Sequence, residues 1–277
     1  MRTVTLPGGE KVSALGQGTW YMGDNAACRS DEIAALQAGV ELGMTLIDTA
    51  EMYGNGRSEE LVGEAIAGRR DKVFLVSKVL PSNASRQGTQ KACERSLKRM
   101  KTDVIDLYLL HWQGGYSFED TIAGMMDLKQ QGKIRHWGVS NMDVPEMREI
   151  FSVRKGDSCA VNQILYNLSR RGVEYDLLPW CREHSLPVMA YSPIEQSRIL
   201  RDRTLVSIAK KQNATPAQVA LSWVLRSPGI IAIPKSGRIA HTKENAASID
   251  LTLAPDDIAL LDEAFRAPTR KMPLEML

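Results

Sequence analysis

Two periods of apolar residues alternate along this chain, one short and dense, the other spaced as on the face of a helix. The dense runs are SALGQGT, TLIDTA, KVFLVSKV, VIDLYLLH, IRHWGVSN, CAVNQIL, PVMAYSP and GIIAIPKS, eight in all, and each reads as a strand. Between them lie amphipathic segments. SDEIAALQAGVELG has a serine, Ser30, placed as an N-cap, acids in its first turn and a glycine near its end. SEELVGEAIAG, TQKACERSLKRM, SFEDTIAGMMDLKQQGK, VPEMREIFSVRKG, EYDLLPWCREHS and TPAQVALSWVLRS show similar apolar recurrence. Strand and helix in strict alternation predict a parallel sheet.

Eight strands in about 250 residues suit a closed (β/α)8 TIM barrel better than two doubly wound domains. No proline-rich or low-complexity linker interrupts the chain, so the expectation is a single barrel domain over residues 1–277. VTLPGGEKV, with PGG at its centre, predicts an N-terminal β-hairpin ahead of the first barrel strand. The tail after Phe265, RAPTRKMPLEML, has two prolines and no helical period, and is expected to lie over a face of the barrel.

Composition narrows the function classes. Hydrophobic residues at 43% and charged residues at 25% are globular values, and a net charge of +2 without lysine or arginine runs leaves no footprint for nucleic acid or an anionic membrane. The N-terminus lacks a signal-peptide core and no apolar run approaches spanning length, so the expectation is a cytoplasmic protein, read as a monomer. Cys28, Cys93, Cys159 and Cys181 have no metal-like pairing; Cys181 and His184 alone supply too few ligands, and no metal is expected.

A barrel enzyme carries its chemistry at the C-terminal ends of its strands. Those ends hold Asp48, Lys78 and His111, with Tyr53 in the second loop. Singly, a strand-end aspartate is a turn former, a lysine solvates a sheet edge, and a histidine after LYLL is a core residue. Together they meet the needs of carbonyl reduction. Hydride arriving at a carbonyl carbon leaves a basic oxygen that needs a proton, and Tyr53 has one to give. A neighbouring ammonium, Lys78, is expected to draw the phenol below its usual pKa of about 10, and Asp48 to keep that ammonium charged. A neutral His111 would orient the carbonyl oxygen by a hydrogen bond.

DTAEMYGN, LVSKV, LYLLHW, GVSN, VNQILYN, MAYSPI and IPKS stand in the order found in the aldo-keto reductase superfamily. The resemblance runs from Gly16 to Asn245, and is strongest to short bacterial members that reduce methylglyoxal and related aldehydes. It implies that Asp48, Tyr53, Lys78 and His111 form the family's catalytic tetrad. It implies NADP(H) as cofactor: Ser140, Asn141 and Gln163 at the carboxamide, Tyr191 stacked on the nicotinamide, Ser192, Pro193 and Ile233 as further contacts, and Glu244 and Asn245 at the adenine. No G-x-G-x-x-G is present, because Tyr21 stands where the third glycine would be.

Lys235, Ser236 and Arg238 lie close together in IPKSGRIAHTKEN and suit a 2′-phosphate. Many family members have an arginine where this chain has His241, with Arg238 as the available substitute. Trp20, Tyr21 and Trp112 would wall an apolar substrate pocket, open to aromatic as well as small aldehydes. The connection SPIEQSRILRDR is too short to wrap far over a cofactor, though Arg198 and Arg201 could reach a phosphate. The expected function is NADPH-dependent reduction of aldehydes and small ketones. The alternative is a cofactor-binding regulatory barrel like the potassium-channel β subunits, against which stands the lack of an additional N-terminal segment or partner-binding insertion.

Overall fold

The structure is a computed structural model describing residues 1–277. It opens with the expected hairpin, β1 (Thr3–Thr5) and β2 (Lys11–Ser13), antiparallel with Val4 opposite Val12. Gly9, with φ at +84°, takes the left-handed position in the turn that a side chain would strain.

Eight parallel strands follow: β3 (Gln17–Gly18), β4 (Leu46–Asp48), β5 (Phe74–Val79), β6 (Ile105–Leu110), β7 (Ile134–Ser140), β8 (Asn162–Leu165), β9 (Val188–Tyr191) and β10 (Ile230–Ile233). Each pairs with the next, in sequence order. The seam between first and last closes through Gly16 N–H to Ala232 O at 2.8 Å and Gly18 N–H to Pro234 O at 3.0 Å. A Cβ on Gly18 would lie 2.8 Å from Ile233 O, so the two strands approach this closely only because residue 18 has none. All six residues of β5 and of β6 are buried, because helices cover the outside while side chains fill the inside.

The helices are α1 (Arg29–Glu41), α2 (Arg57–Ala65), α3 (Arg86–Met100), α4 (Phe118–Gln130), α5 (Val144–Ser152), α6 (Leu177–Glu183), α7 (Arg203–Lys211), α8 (Pro216–Val224), α9 (Ile239–Ala247) and α10 (Pro255–Ala264). Local chemistry fixes several of their starts. Ser85 and Ser117 accept from Gly88 N–H and Asp120 N–H, and Asp143 with Glu146 and Thr215 with Gln218 form capping boxes. Ser30 is not the cap of α1. Asn25 accepts from Ala27 N–H and starts a 3₁₀ turn over Ala26–Cys28 that runs straight into the helix, so Ser30 lies inside it.

One contiguous apolar core extends from Val4 in the hairpin to Leu261 in α10. Past α10 the tail crosses the mouth of the barrel. Lys271 bonds Asp143 at 2.6 Å and Asp176 at 2.8 Å, holding the tail against the loops that follow β7 and β8.

Candidate active site

The C-terminal ends of β4, β5 and β6 bring Asp48, Lys78 and His111 to one mouth, and a short turn after β4 returns Tyr53 to them. Lys78 is wholly buried. Its Nζ donates to Asp48 Oδ2 at 2.8 Å and Thr49 O at 2.8 Å, and lies 3.2 Å from Tyr53 Oη. It also stands 4.8 Å from the centre of the Tyr53 ring. Three oxygens around one ammonium satisfy its donors where water cannot. Asp48 is held in turn by Gln163, whose Nε2 donates to Oδ1 at 2.7 Å.

Burial drives the protonation chemistry of this group. It lowers the Lys78 pKa and raises that of Asp48, with each partner's charge opposing the shift in the other. The expectation that Lys78 draws the Tyr53 phenol down is corrected here. Burial, with the Asp48 carboxylate adding to it, puts Tyr53 well above the ordinary tyrosine value. Desolvation of a phenolate at this position outweighs the neighbouring ammonium, whose charge Asp48 offsets. Burial, and after it the Lys78 charge, drops His111 to about 2, so its imidazole is neutral. Its Nδ1 is buried without a partner.

Two cavities flank Tyr53. One, about 240 Å³, is lined by Trp20, Met52, Trp112, Ser140, Asn141 and Gln163 among others, with His111 and Tyr191 facing it. The other, about 280 Å³, runs past Tyr191, Ser192, Pro193 and Ile233 to Lys235. Trp20, Tyr53 and Tyr191 border both. Tyr21 lines only the second cavity; it stacks on Trp20 with ring centres 4.6 Å apart and is 58% exposed. The first cavity is lined in addition by Met276 and Leu277 of the tail, which sequence reasoning left out.

Strand ends also assemble the amide cluster. Asn141, in a left-handed conformation with φ at +59°, donates to His111 O at 3.1 Å and accepts from Tyr191 Oη at 3.0 Å, so β6, β7 and β9 are tied together. Ser140 Oγ donates to Gln163 O at 2.9 Å. Beyond β10, Lys235 and Arg238 are exposed with no carboxylate within ion-pair distance, and Arg238 is the N-cap residue of α9. Ser236 Oγ bonds Arg238 O at 2.9 Å, closing that turn. Glu244 and Asn245 follow on α9, Asn245 buried, and His241 is exposed. Arg198 turns back onto its own loop, donating to Glu195 at 3.2 Å and Gln196 at 2.6 Å, so it is already engaged.

The family described as Aldo/keto reductase family matches residues 14–266, and the chain belongs to that family. It is 51% identical over 281 residues to the methylglyoxal reductase YeaE of Escherichia coli K12, covering 100% of this chain and 99% of that protein. It is 32% identical to the glyoxal reductase of Bacillus subtilis, over 94% of this chain and 91% of the relative. Among solved structures, an aldo/keto reductase from Klebsiella pneumoniae in complex with NADP and acetate superposes with a TM-score of 0.97, at 48% identity and 99% coverage of each chain.

Proposed function

We propose that this protein is an NADPH-dependent reductase of aldehydes and small ketones, methylglyoxal-like or aromatic, acting as one barrel domain with Tyr53 as proton donor. The observation that carries the reading is the chain of contacts Gln163, Asp48, Lys78, Tyr53, which ends with a phenol at the wall of an apolar cavity. The relatives whose names specify methylglyoxal and glyoxal reduction support the substrate class, and the NADP-bound neighbour supports the cofactor.

The residues fit that cofactor. The larger cavity leads from Tyr53 towards Lys235, and two cations there lack any anionic partner. Tyr191 would face the nicotinamide, and Ser140, Asn141 and Gln163 its carboxamide, while Ser192, Pro193 and Ile233 would line its path. Lys235, Ser236 and Arg238 would hold the 2′-phosphate at the N-terminus of α9, with Glu244 and Asn245 at the adenine. When bound, NADPH supplies the hydride.

The protein's own groups then deal with the oxygen. Neutral His111 donates a hydrogen bond to the carbonyl and orients it. Tyr53 keeps its proton until the oxygen becomes basic enough to take it, which its raised pKa favours. Lys78, 3.2 Å away, stabilises the phenolate that remains, and Asp48 keeps Lys78 charged and pointed. Trp20 and Trp112 would wall the carbon skeleton, with Tyr21 bordering the neighbouring cavity. A panel of aldehydes followed by loss of reduced-nicotinamide absorbance, once with NADPH and once with NADH, tests this. Turnover of glyoxals and aromatic aldehydes with a preference for NADPH is expected; cofactor binding without turnover of any aldehyde would favour the regulatory barrel.

A further inference from the structure

The loop after β8 presents Arg170 between two covers of the site. On one side its Nε and Nη2 donate to Glu195 Oε1 at 3.2 and 3.0 Å; on the other Nη1 donates to Glu275 Oε1. Glu195 belongs to the segment that follows β9 and borders the larger cavity; Glu275 belongs to the tail. The two residues after Glu275, Met276 and Leu277, form part of the wall of the smaller cavity. A single guanidinium therefore joins the wall of one cavity to the wall of the other.

Glu195 is an anchored point in an otherwise strained segment. Ser192, Glu195, Gln196 and Ser197 all take positive φ, between 46° and 69°, although none is glycine. Such a conformation persists only where surrounding contacts hold it. The Glu195 side chain is 3% exposed, and its Oε2 accepts from Asn167 Nδ2 at 2.8 Å. Asn167 Nδ2 also reaches Ser192 O at 2.9 Å. The β8 loop thus grips the segment at Ser192 and at Glu195, and Arg170 extends the same grip to the tail.

We propose that Arg170 is a positioning residue that couples the cofactor side of the site to the substrate side, so that filling the larger cavity fixes the Met276–Leu277 wall of the smaller one. This rests on the reading of the two cavities as cofactor and substrate sites. Coupling of this kind is reciprocal: an aldehyde held against the tail tightens the cofactor by the same factor as the cofactor tightens the aldehyde. The Glu275 carboxylate is 44% exposed, and exposed ion pairs are weak, so the expected factor is about two- to fivefold.

The test measures NADP⁺ binding by quenching of tryptophan fluorescence, without and with saturating benzaldehyde, which NADP⁺ cannot reduce. Wild type should bind NADP⁺ about two- to fivefold more tightly with benzaldehyde present. Arg170→Met and Glu275→Gln should bring the ratio to one, and Arg170→Lys should restore part of it. Glu275→Gln alters only an exposed side chain, so it reads the coupling even if Arg170→Met fails to fold. The same variant should raise the KM for benzaldehyde while leaving the single-turnover rate with methylglyoxal unchanged. A ratio of one in wild type, or an undiminished ratio in Glu275→Gln, overturns the role of Arg170 while leaving the reductase reading intact. No binding of NADP⁺ by wild type overturns both.

Discussion

Gln163 Nε2 donates to Asp48 Oδ1 at 2.7 Å, so the amide expected at the cofactor also holds the carboxylate that pairs with Lys78. Gln163 is the second residue of β8, and its side chain lines the smaller cavity while its amide nitrogen reaches the carboxylate. Replacing it with leucine removes the second of two donors to a carboxylate that burial already pushes up. Gln163→Leu is expected to cost about 1.5–3 kcal/mol in stability, the usual worth of a bond to a charged group. Urea unfolding followed by circular dichroism measures it; a loss below half a kcal/mol, roughly the scale of a neutral surface change, would show that Asp48 does not depend on Gln163.

Tyr53→Phe removes the proposed proton donor and little else. Single-turnover hydride transfer should fall on the order of 10²–10⁴-fold, with NADPH affinity nearly unchanged. In wild type the raised phenol retains its proton, so the reduction rate should hold as pH rises towards the ordinary tyrosine value of about 10. A mutant within a few-fold of wild type would remove Tyr53 from the role.

Lys235 and Arg238 stand free of anionic partners. Changing both to alanine should raise the KM for NADPH at least tenfold more than that for NADH, as loss of charge-assisted bonds worth about 1.5–3 kcal/mol predicts. Equal losses for the two cofactors would mean that the pair serves the fold and not a phosphate.

His111 gives the fold a pH dependence. Its imidazole takes a proton near pH 2 in the folded protein and near 6.5 once unfolded. Between those values the unfolded chain binds the extra proton, so stability is full above pH 6.5 and is lost as pH falls towards 2. The slope for one proton is about 1.4 kcal/mol per pH unit. His111→Asn should flatten stability between pH 6.5 and 5 by roughly that slope, measured by urea unfolding at each pH. An unchanged slope would show that His111 does not titrate on unfolding.

The barrel was legible because strands covered on both faces must be apolar at nearly every position, and all eight such runs became strands. Asp48, Lys78 and His111 were legible for a related reason: each is a polar residue ending an apolar run. What escaped depends on distance in the chain. Met276 and Leu277 look like an irregular tail, and only the anchoring of Lys271 and Glu275 explains why they reach Trp20 and Tyr53. Glu195 reads as a loop carboxylate until Asn167 and Arg170 bury it. The direction of the Tyr53 shift escaped too, because residue types reveal which charges are neighbours but not how far burial takes them from water. The cap of α1 failed more locally, since Asn25 begins the turn earlier than Ser30 could.

The ion pair of Lys78 and Asp48 is sealed inside the barrel, and in the role proposed for it beside Tyr53 it sets catalysis against durability. Well-packed apolar residues in place of such a pair are often neutral or stabilising by about 1–4 kcal/mol. A laboratory population selected for heat resistance alone would therefore be free to discard both residues together and, on the proposed mechanism, would drift towards robust barrels that reduce nothing. Selection for a hardier enzyme has to reward turnover in every round, and the gains should be sought in the outer helices, where stability can rise without emptying the mouth of its charges.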